Sequence, residues 1–212
     1  MGRIYSRAAL PVDNVAVAAA GIYRDGAHIG VLHRADPATP VKFLHLCDHL
    51  VLKNENPRPS MTAWIDPDID SDVLELVTDW CRLIFDLHGS GKMPYGFSSP
   101  EAFFDDGGNI RKEGIGLTCA TLVLAIFHQV GIKLIDYSTW PKLSRADKKA
   151  CGEMGEHIRG NDLHQFHKLE TDATKSRYRP LHVAGAVSAD ATRRPVRFRS
   201  AIQLGGKVRR ML

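Results

Sequence analysis

Residues 117–130 read LTCATLVLAIFHQV, the most apolar stretch of the chain. They predict a helix over residues 119–130 that is apolar on nearly every face, and such a helix lies in the core of a domain. Gly131 predicts the end of this helix, because glycine readily adopts the left-handed conformation that follows a helix. The stretch falls short of the ~20 apolar residues of a membrane-spanning helix and includes a histidine and a glutamine. We therefore expect a central, buried helix.

Upstream of this helix, three short runs rich in apolar and β-branched residues predict strands. They cover residues 14–23 (NVAVAAAGIY), 27–33 (AHIGVLH) and 41–46 (VKFLHL). The sequence Arg24-Asp25-Gly26 between the first two is typical of a tight hairpin, since Asp-Gly accepts positive φ. The strands and the apolar helix together predict an α+β fold, in which an antiparallel sheet packs against the helix.

The rest of the chain predicts further, weaker elements. Helical spacing of apolar residues predicts three more helices, at residues 71–87, 144–159 and 162–170. Short apolar runs indicate strands at residues 132–135 and 181–187. Residues 89–114 contain six glycines and two prolines and predict a long irregular loop before the apolar helix. Loops of this kind often carry function.

The composition is that of a folded protein with an uneven charge. At 212 residues, 44% of them hydrophobic, the chain is long enough for one domain with a sizeable core. Residues 173–212 carry ten basic side chains against one acid, a charge of +9, which leaves −5 for residues 1–172. We therefore divide the chain into a domain at 1–172 and a basic segment at 173–212. That segment predicts contact with nucleic acid, with an anionic surface or with the acidic part of the chain itself.

The N-terminal residues lack the apolar run and small-residue cleavage site of a signal peptide. We expect a cytoplasmic protein, or one exported by a route without a signal, and no transmembrane segment. The four cysteines are scattered without a C-x-x-C pair, which disfavours a disulfide scaffold or a zinc ribbon. Nothing in the sequence predicts an oligomeric state.

Cys119 is the candidate nucleophile. It opens the apolar helix, and the aligned dipoles and free N–H groups of a helix N-terminus favour a thiolate. The glycine-rich residues 114–118 just before it allow a substrate to approach the backbone. The alternative is that Cys119 is a buried core residue, which is common for free cysteines. Cys47, Cys81 and Cys151 lie in a strand end, an amphipathic helix and a charged helix and are weaker candidates.

Two histidines on neighbouring predicted strands supply a base and a group that orients it. A thiol nucleophile needs a base within hydrogen-bond reach, and the base needs a polar partner. Antiparallel pairing of the strands predicts that His28 and His45 lie side by side on one face of the sheet. The alternative is that His45 is a core histidine with its hydrogen bonds satisfied and His28 a turn residue.

These motifs resemble a known superfamily. The segments AHIGVLH (27–33), VKFLHL (41–46) and LTCATLV (117–123) resemble the NlpC-type papain-like cysteine hydrolases. The order His, His, Cys is similar to the circularly permuted branch that includes lecithin:retinol acyltransferase and related bacterial proteins. The resemblance covers residues 14–50 and 110–132. It implies a permuted papain-like domain at 1–172 with extra C-terminal helices.

The resemblance also implies a chemistry. Cys119 is the nucleophile, His28 its base and His45 the orienting group, and the reaction passes through an acyl-enzyme without metal or cofactor. The substrate is a peptide, another amide or an acyl ester, and we favour an amidase or peptidase, such as a bacterial effector, over an acyltransferase. His182, in residues 180–185 (PLHVAG), is a rival base in the unpermuted arrangement.

Two other interpretations stay open. The chain is a non-catalytic binding module if Cys119 is only core and the basic segment binds nucleic acid or an anionic surface. His164 and His167 lie three residues apart on a predicted helix, a spacing that allows a metal site. No H-E-x-x-H pattern accompanies them, so we favour surface histidines.

Overall fold

The computed structural model describes residues 4–6, 15–22, 26–57, 62–89, 91–97, 103–111, 116–160, 162–172 and 176–212. The strands are β1 (Ile4–Ser6), β2 (Val15–Ile22), β3 (Gly26–His33), β4 (Lys42–Asp48), β5 (Val51–Glu55) and β6 (Thr62–Ile65). The helices are α1 (Ser71–His88), α2 (Cys119–Gln129), α3 (Arg145–Arg159), α4 (Leu163–Asp172), α5 (Pro180–Val187) and α6 (Phe198–Arg209). The predicted α+β class with an antiparallel sheet is confirmed.

The strands form one sheet in the order β1-β6-β2-β3-β4-β5, with every neighbouring pair antiparallel. Alternation along each strand gives the sheet two apolar faces. Val31 and Leu44, paired across β3 and β4, belong to the main core under α2. Leu32 and Phe43, the next pair, belong to a smaller cluster on the opposite face. His28, His45 and Cys47, described below, share the face of Leu32 and Phe43, whereas Cys119 lies with α2 in the main core on the opposite face.

Helix α2 is the centre of the main core. Thr118 caps its N-terminus through a reciprocal pair of hydrogen bonds with Thr121, which satisfies N–H groups that the first turn leaves free. All residues from Cys119 to Phe127 are buried. Gly131, with φ +79°, follows the helix end as predicted. Cys119 is therefore held at the first turn of a rigid, buried helix.

The described part of the basic segment packs into the same core. Val183 and Val187 of α5 and Ala201 and Val208 of α6 are buried in the cluster that contains α2. The two helices cross closely at Gly185, where an added Cβ would collide with the backbone of α6. Residues 176–212 are thus an integral part of the domain and not a free tail.

Two sequence predictions were wrong. Residues 181–187 are not a strand but form most of helix α5, which begins at Pro180, a residue that fits the first turn of a helix. Residues 132–135 contribute only an isolated bridge between Ile135 and Val196. A short apolar run does not distinguish a strand from a buried helix, so both errors have the same origin.

Other predicted elements agree with the structure to within two residues, and some elements were not predicted. The helices at 71–87, 144–159 and 162–170 are present, as are the three predicted strands. Strands β1, β5 and β6 and helix α6 were missed. The predicted turn residues Arg24 and Asp25 lie outside the described residues. Within the described ranges, no helix combines the length and apolar character needed to cross a bilayer.

Candidate active site

His28 and His45 meet on one face of the sheet, as the antiparallel pairing of their strands predicts. Nε2 of His28 on β3 lies 2.7 Å from Nδ1 of His45 on β4. Gly30, two residues after His28, makes the room for this contact, because a Cβ at Gly30 would lie 2.7 Å from Cβ of His45. A residue with a side chain at position 30 would collide with His45, which explains the glycine of the His-Ile-Gly motif.

Glu55 extends this pair to a chain of three. Oε1 of Glu55 on β5 lies 3.4 Å from Nε2 of the buried His45. Burial lowers the pKa of His45, and the charge and hydrogen bond of Glu55 raise it in part. The carboxylate accepts from His45 Nε2–H, so Nδ1 of His45 accepts from His28 Nε2–H. This order leaves the lone pair of His28 on Nδ1.

His28 is neutral in this environment. Burial, and then the neighbouring His45, lower its pKa to about 4. A neutral imidazole with a free lone pair is the form that accepts a proton. His28 thus has the protonation state of a general base.

The sulfur of Cys119 lies against the backbone of β3. Burial raises the pKa of the Cys119 thiol to about 11, while N–H groups of Ile29, Ala120 and Cys119 itself lower it by hydrogen bonding to sulfur. Ile29 directly follows His28 in β3, but successive side chains of a strand project from opposite faces, so this proximity does not bring the sulfur to the imidazole. Among the described residues, no hydrogen bond joins the Cys119 sulfur to His28 or His45. The thiol is only 7% exposed and is protonated at rest.

A cleft of about 510 Å³ brings these groups to solvent. Cys119 and His28 both line it, together with Cys47 of β4. The opposite wall comes from α3, α5, α6 and the segment before α5, and its polar members are Asp147, Arg177, Tyr178, Arg179, His182 and Arg209. The cleft therefore combines a thiol, an oriented imidazole and a cationic wall.

Arg177, Arg179 and Arg209 form the cationic wall of the cleft, and Asp147 forms ion pairs with the first two. Oδ1 of Asp147 lies 2.9 Å from Nη2 of Arg179 and 3.3 Å from Nη1 of Arg177. With Arg209, the lining carries three guanidinium groups against this single carboxylate. Three basic residues of the C-terminal segment thus belong to the cleft.

The rival base His182 lies on α5 and lines the same cleft. Its ring packs edge-on against Phe198, with centroids 5.6 Å apart. Among the described residues, none hydrogen-bonds its buried Nδ1. His182 therefore lacks the orienting partner that His28 has.

Sequence reasoning missed Cys47 and Glu55. Sγ of Cys47 lies 3.3 Å from Nδ1 of His45. The alternation His45-Leu46-Cys47 within one strand was the available signal, since residues i and i+2 share a face. Glu55 had no such signal, because β5 was not predicted. His164 and His167 are both exposed on α4 and do not belong to the cluster of His28, His45 and Cys47.

Comparisons of the chain with protein-family models, with curated proteins and with solved structures found no match. The support for a function of this chain is therefore the arrangement of residues in the cleft.

Proposed function

We propose that the chain is a cysteine-dependent hydrolase or acyltransferase, most simply an amidase or peptidase, with the permuted papain-like architecture that its motifs resemble. Cys119 is the nucleophile, His28 the base and His45 the orienting group. One observation carries the proposal: the bond from His28 Nε2 to His45 Nδ1, 2.7 Å long, is made at a cleft that Cys119 also lines.

The reaction begins with attack of the Cys119 sulfur on the carbonyl carbon of an amide or ester. As the S–C bond forms, Nδ1 of His28 takes the thiol proton. The backbone N–H groups of the first turn of α2 stabilise the negative charge on the carbonyl oxygen. The C–N or C–O bond then breaks, and the leaving group takes the proton from His28, which leaves a thioester on Cys119.

The second half releases the acyl group. Water, or an alcohol or amine acceptor, loses a proton to His28 Nδ1 and attacks the thioester carbon. The C–S bond breaks, and the departing Cys119 thiolate takes the proton back from His28, which restores the thiol and the neutral imidazole. Through both halves, His45 and Glu55 keep the imidazole of His28 in one tautomer and one orientation.

An acyl-enzyme trap tests this proposal. Incubation with p-nitrophenyl acetate followed by peptide mass spectrometry is expected to place one acetyl group on Cys119. The variant Cys119→Ser is expected to lose this product, and Cys151→Ser, at a cysteine outside the cleft, to retain it. Acetylation confined to Cys47, or absent from every cysteine, would show that Cys119 is not the nucleophile.

The binding module is the second candidate function. The apolar faces of α5 and α6 pack into the core, but Arg197, Arg199, Lys207 and Arg210 are exposed and can contact a polyanion. Cys119 also belongs to the main core, as this alternative expects. Binding to nucleic acid that weakens with salt and is unchanged in Cys119→Ala, together with a failed acyl-enzyme trap, would establish it.

A further inference from the structure

We propose that His28, His45 and Cys47 form a binding site for a zinc ion. The nitrogen and sulfur atoms of these residues that can bind a metal all lie within 4.8 Å of one another. His45 Nδ1 is the common centre, 2.7 Å from His28 Nε2 and 3.3 Å from Cys47 Sγ. Two imidazoles and one thiol are a ligand set that zinc prefers.

The strand geometry explains why the three groups converge. β3 and β4 are antiparallel neighbours, which brings His28 beside His45. In β4 the pairing with β5 shifts between Leu46 and Asp48, so Cys47 is the extra residue of a bulge. A bulge redirects the side chain that it carries, and here the thiol is directed towards His45.

Two of the three ligand separations are near those of a zinc site. With Zn–N near 2.0 Å and Zn–S near 2.3 Å, the ligand atoms of a tetrahedral site lie about 3.3–3.6 Å apart. Cys47 Sγ lies 3.3 Å from His45 Nδ1 but also 3.8 Å from its Nε2, so the thiol or the ring has to rotate before both bind one ion. The two ring nitrogens need to separate by only about 0.6 Å, which their rings can do by rotating.

Glu55 supplies an independent observation. A histidine that binds zinc through one ring nitrogen usually donates the N–H of the other to a carboxylate or carbonyl. His45 presents Nδ1 to the cluster, and its Nε2 lies 3.4 Å from Oε1 of Glu55. The pair thus has the arrangement that fixes a metal-binding imidazole.

The site is also accessible. Cys47 is exposed and lines the cleft with His28, which leaves a fourth coordination position open to water. Three protein ligands with one open position are the arrangement of an accessible zinc site and not of a closed structural one. Zinc there takes His28 Nε2 and His45 Nδ1 and so breaks the hydrogen bond between them. On the proposed function, zinc is then a reversible inhibitor.

Cobalt tests the site directly, because a Co²⁺–thiolate bond has a near-ultraviolet charge-transfer band. Titration of the full chain with Co²⁺ is expected to give this band with one equivalent and to lose it on addition of Zn²⁺. Cys47→Ala is expected to abolish the band, and His45→Ala to weaken binding at least about tenfold. Cys119→Ala and Cys151→Ala are matched controls that retain it. Far-ultraviolet circular dichroism shows that each variant is folded.

The outcomes are separable. No band in the unmodified chain, a band that survives Cys47→Ala, or a band lost in Cys119→Ala would each overturn the metal site. Because binding needs no catalysis, a band in a chain that fails the acyl-enzyme trap supports the site and refutes the enzyme. If both hold, Zn²⁺ is expected to slow acetylation of Cys119 at least about tenfold, with EDTA restoring it. Unchanged acetylation with zinc bound would refute the inhibitory role.

Discussion

The backbone N–H of Ile29, the residue that follows His28, lies close enough to the sulfur of Cys119 to lower the pKa of its thiol. This proximity places the start of α2 beside the residue of β3 that follows His28. The proposed nucleophile and the proposed base are therefore both held by regular elements, a helix and a strand, and not by a loop. Sites held by regular elements keep their geometry better than sites on loops.

Replacement of the base is the most direct prediction. His28→Ala is expected to lower kcat/KM for an activated ester by about 10²–10⁴-fold, because the thiol loses its proton acceptor. His182→Ala is expected to lower kcat/KM less than His28→Ala does, because no described group hydrogen-bonds the Nδ1 of His182. His164→Ala, at an exposed position of α4, is the surface control. Steady-state kinetics measure kcat/KM for each variant. A larger decrease in His182→Ala than in His28→Ala would indicate that His182 is the base.

Glu55 is expected to act as a positioning residue through His45. Glu55→Ala is expected to lower kcat at least about tenfold with little change in KM, because the tautomer of His45 is no longer fixed. Glu55→Gln keeps a carbonyl oxygen that accepts the same N–H and is expected to restore most of kcat. A Gln variant as impaired as the Ala variant would point to the charge of Glu55 and not to its hydrogen bond.

A methyl group at Gly30 is expected to disturb both stability and the site. Gly30→Ala places Cβ against the Leu44 carbonyl and the side chains of Phe43 and His45, and overpacking of this kind costs about 1–3 kcal/mol. Gly152→Ala is the matched control. It lies within α3 with nothing near the added Cβ and is expected to stabilise by about 0.5–1 kcal/mol. Urea unfolding measures both, and equal effects would refute the steric account.

The stability of the fold is expected to depend on pH through the ionisation of Asp147. Burial raises the pKa of its carboxyl, but hydrogen bonds from Ser144 and Arg179 outweigh burial and hold the pKa below its ordinary value. A lowered pKa contributes stability above the unfolded pKa, about 3.9, and that contribution is lost as the pH falls through the folded-state value.

We therefore expect Asp147→Asn to lose about 1 kcal/mol of unfolding free energy at pH 7, and this difference from the original chain to shrink as the pH falls through the folded-state pKa of Asp147. Thermal unfolding at neutral pH and over an acidic series measures the difference. Ser144→Ala, which removes the other half of this helix cap, is expected to lose a similar amount at pH 7. A deficit in Asp147→Asn that is independent of pH would contradict the linkage.

Sequence patterns predicted the features that depend on residues close together in the chain. The helix that begins at Cys119 has an apolar composition, a capping threonine and a terminal glycine, all readable within a few residues. The meeting of His28 and His45 needed only the antiparallel pairing of consecutive strands. Both predictions depend only on residues or strands that are neighbours in the chain, and both agree with the structure.

Features that depend on distant pairing were missed. β6 lies between β1 and β2, an order that no local pattern specifies. Cys47 reaches His45 at a bulge, and Glu55 reaches it through the β4–β5 register, which that bulge shifts. Helix α5 is buried by α6, which was itself not predicted. The proposed nucleophile and base could thus be named from the sequence, while the groups around them became apparent only in the assembled sheet.

The packing of α5 and α6 into the core has a consequence for how the chain matures. Synthesis delivers His28, His45 and Cys119 well before Arg177, His182 and Arg209, which complete the far wall of the cleft. A ribosome-bound intermediate thus holds Cys119 without the far wall of the cleft. We expect any reaction of Cys119 that depends on this wall to be detectable only after α6 has been translated.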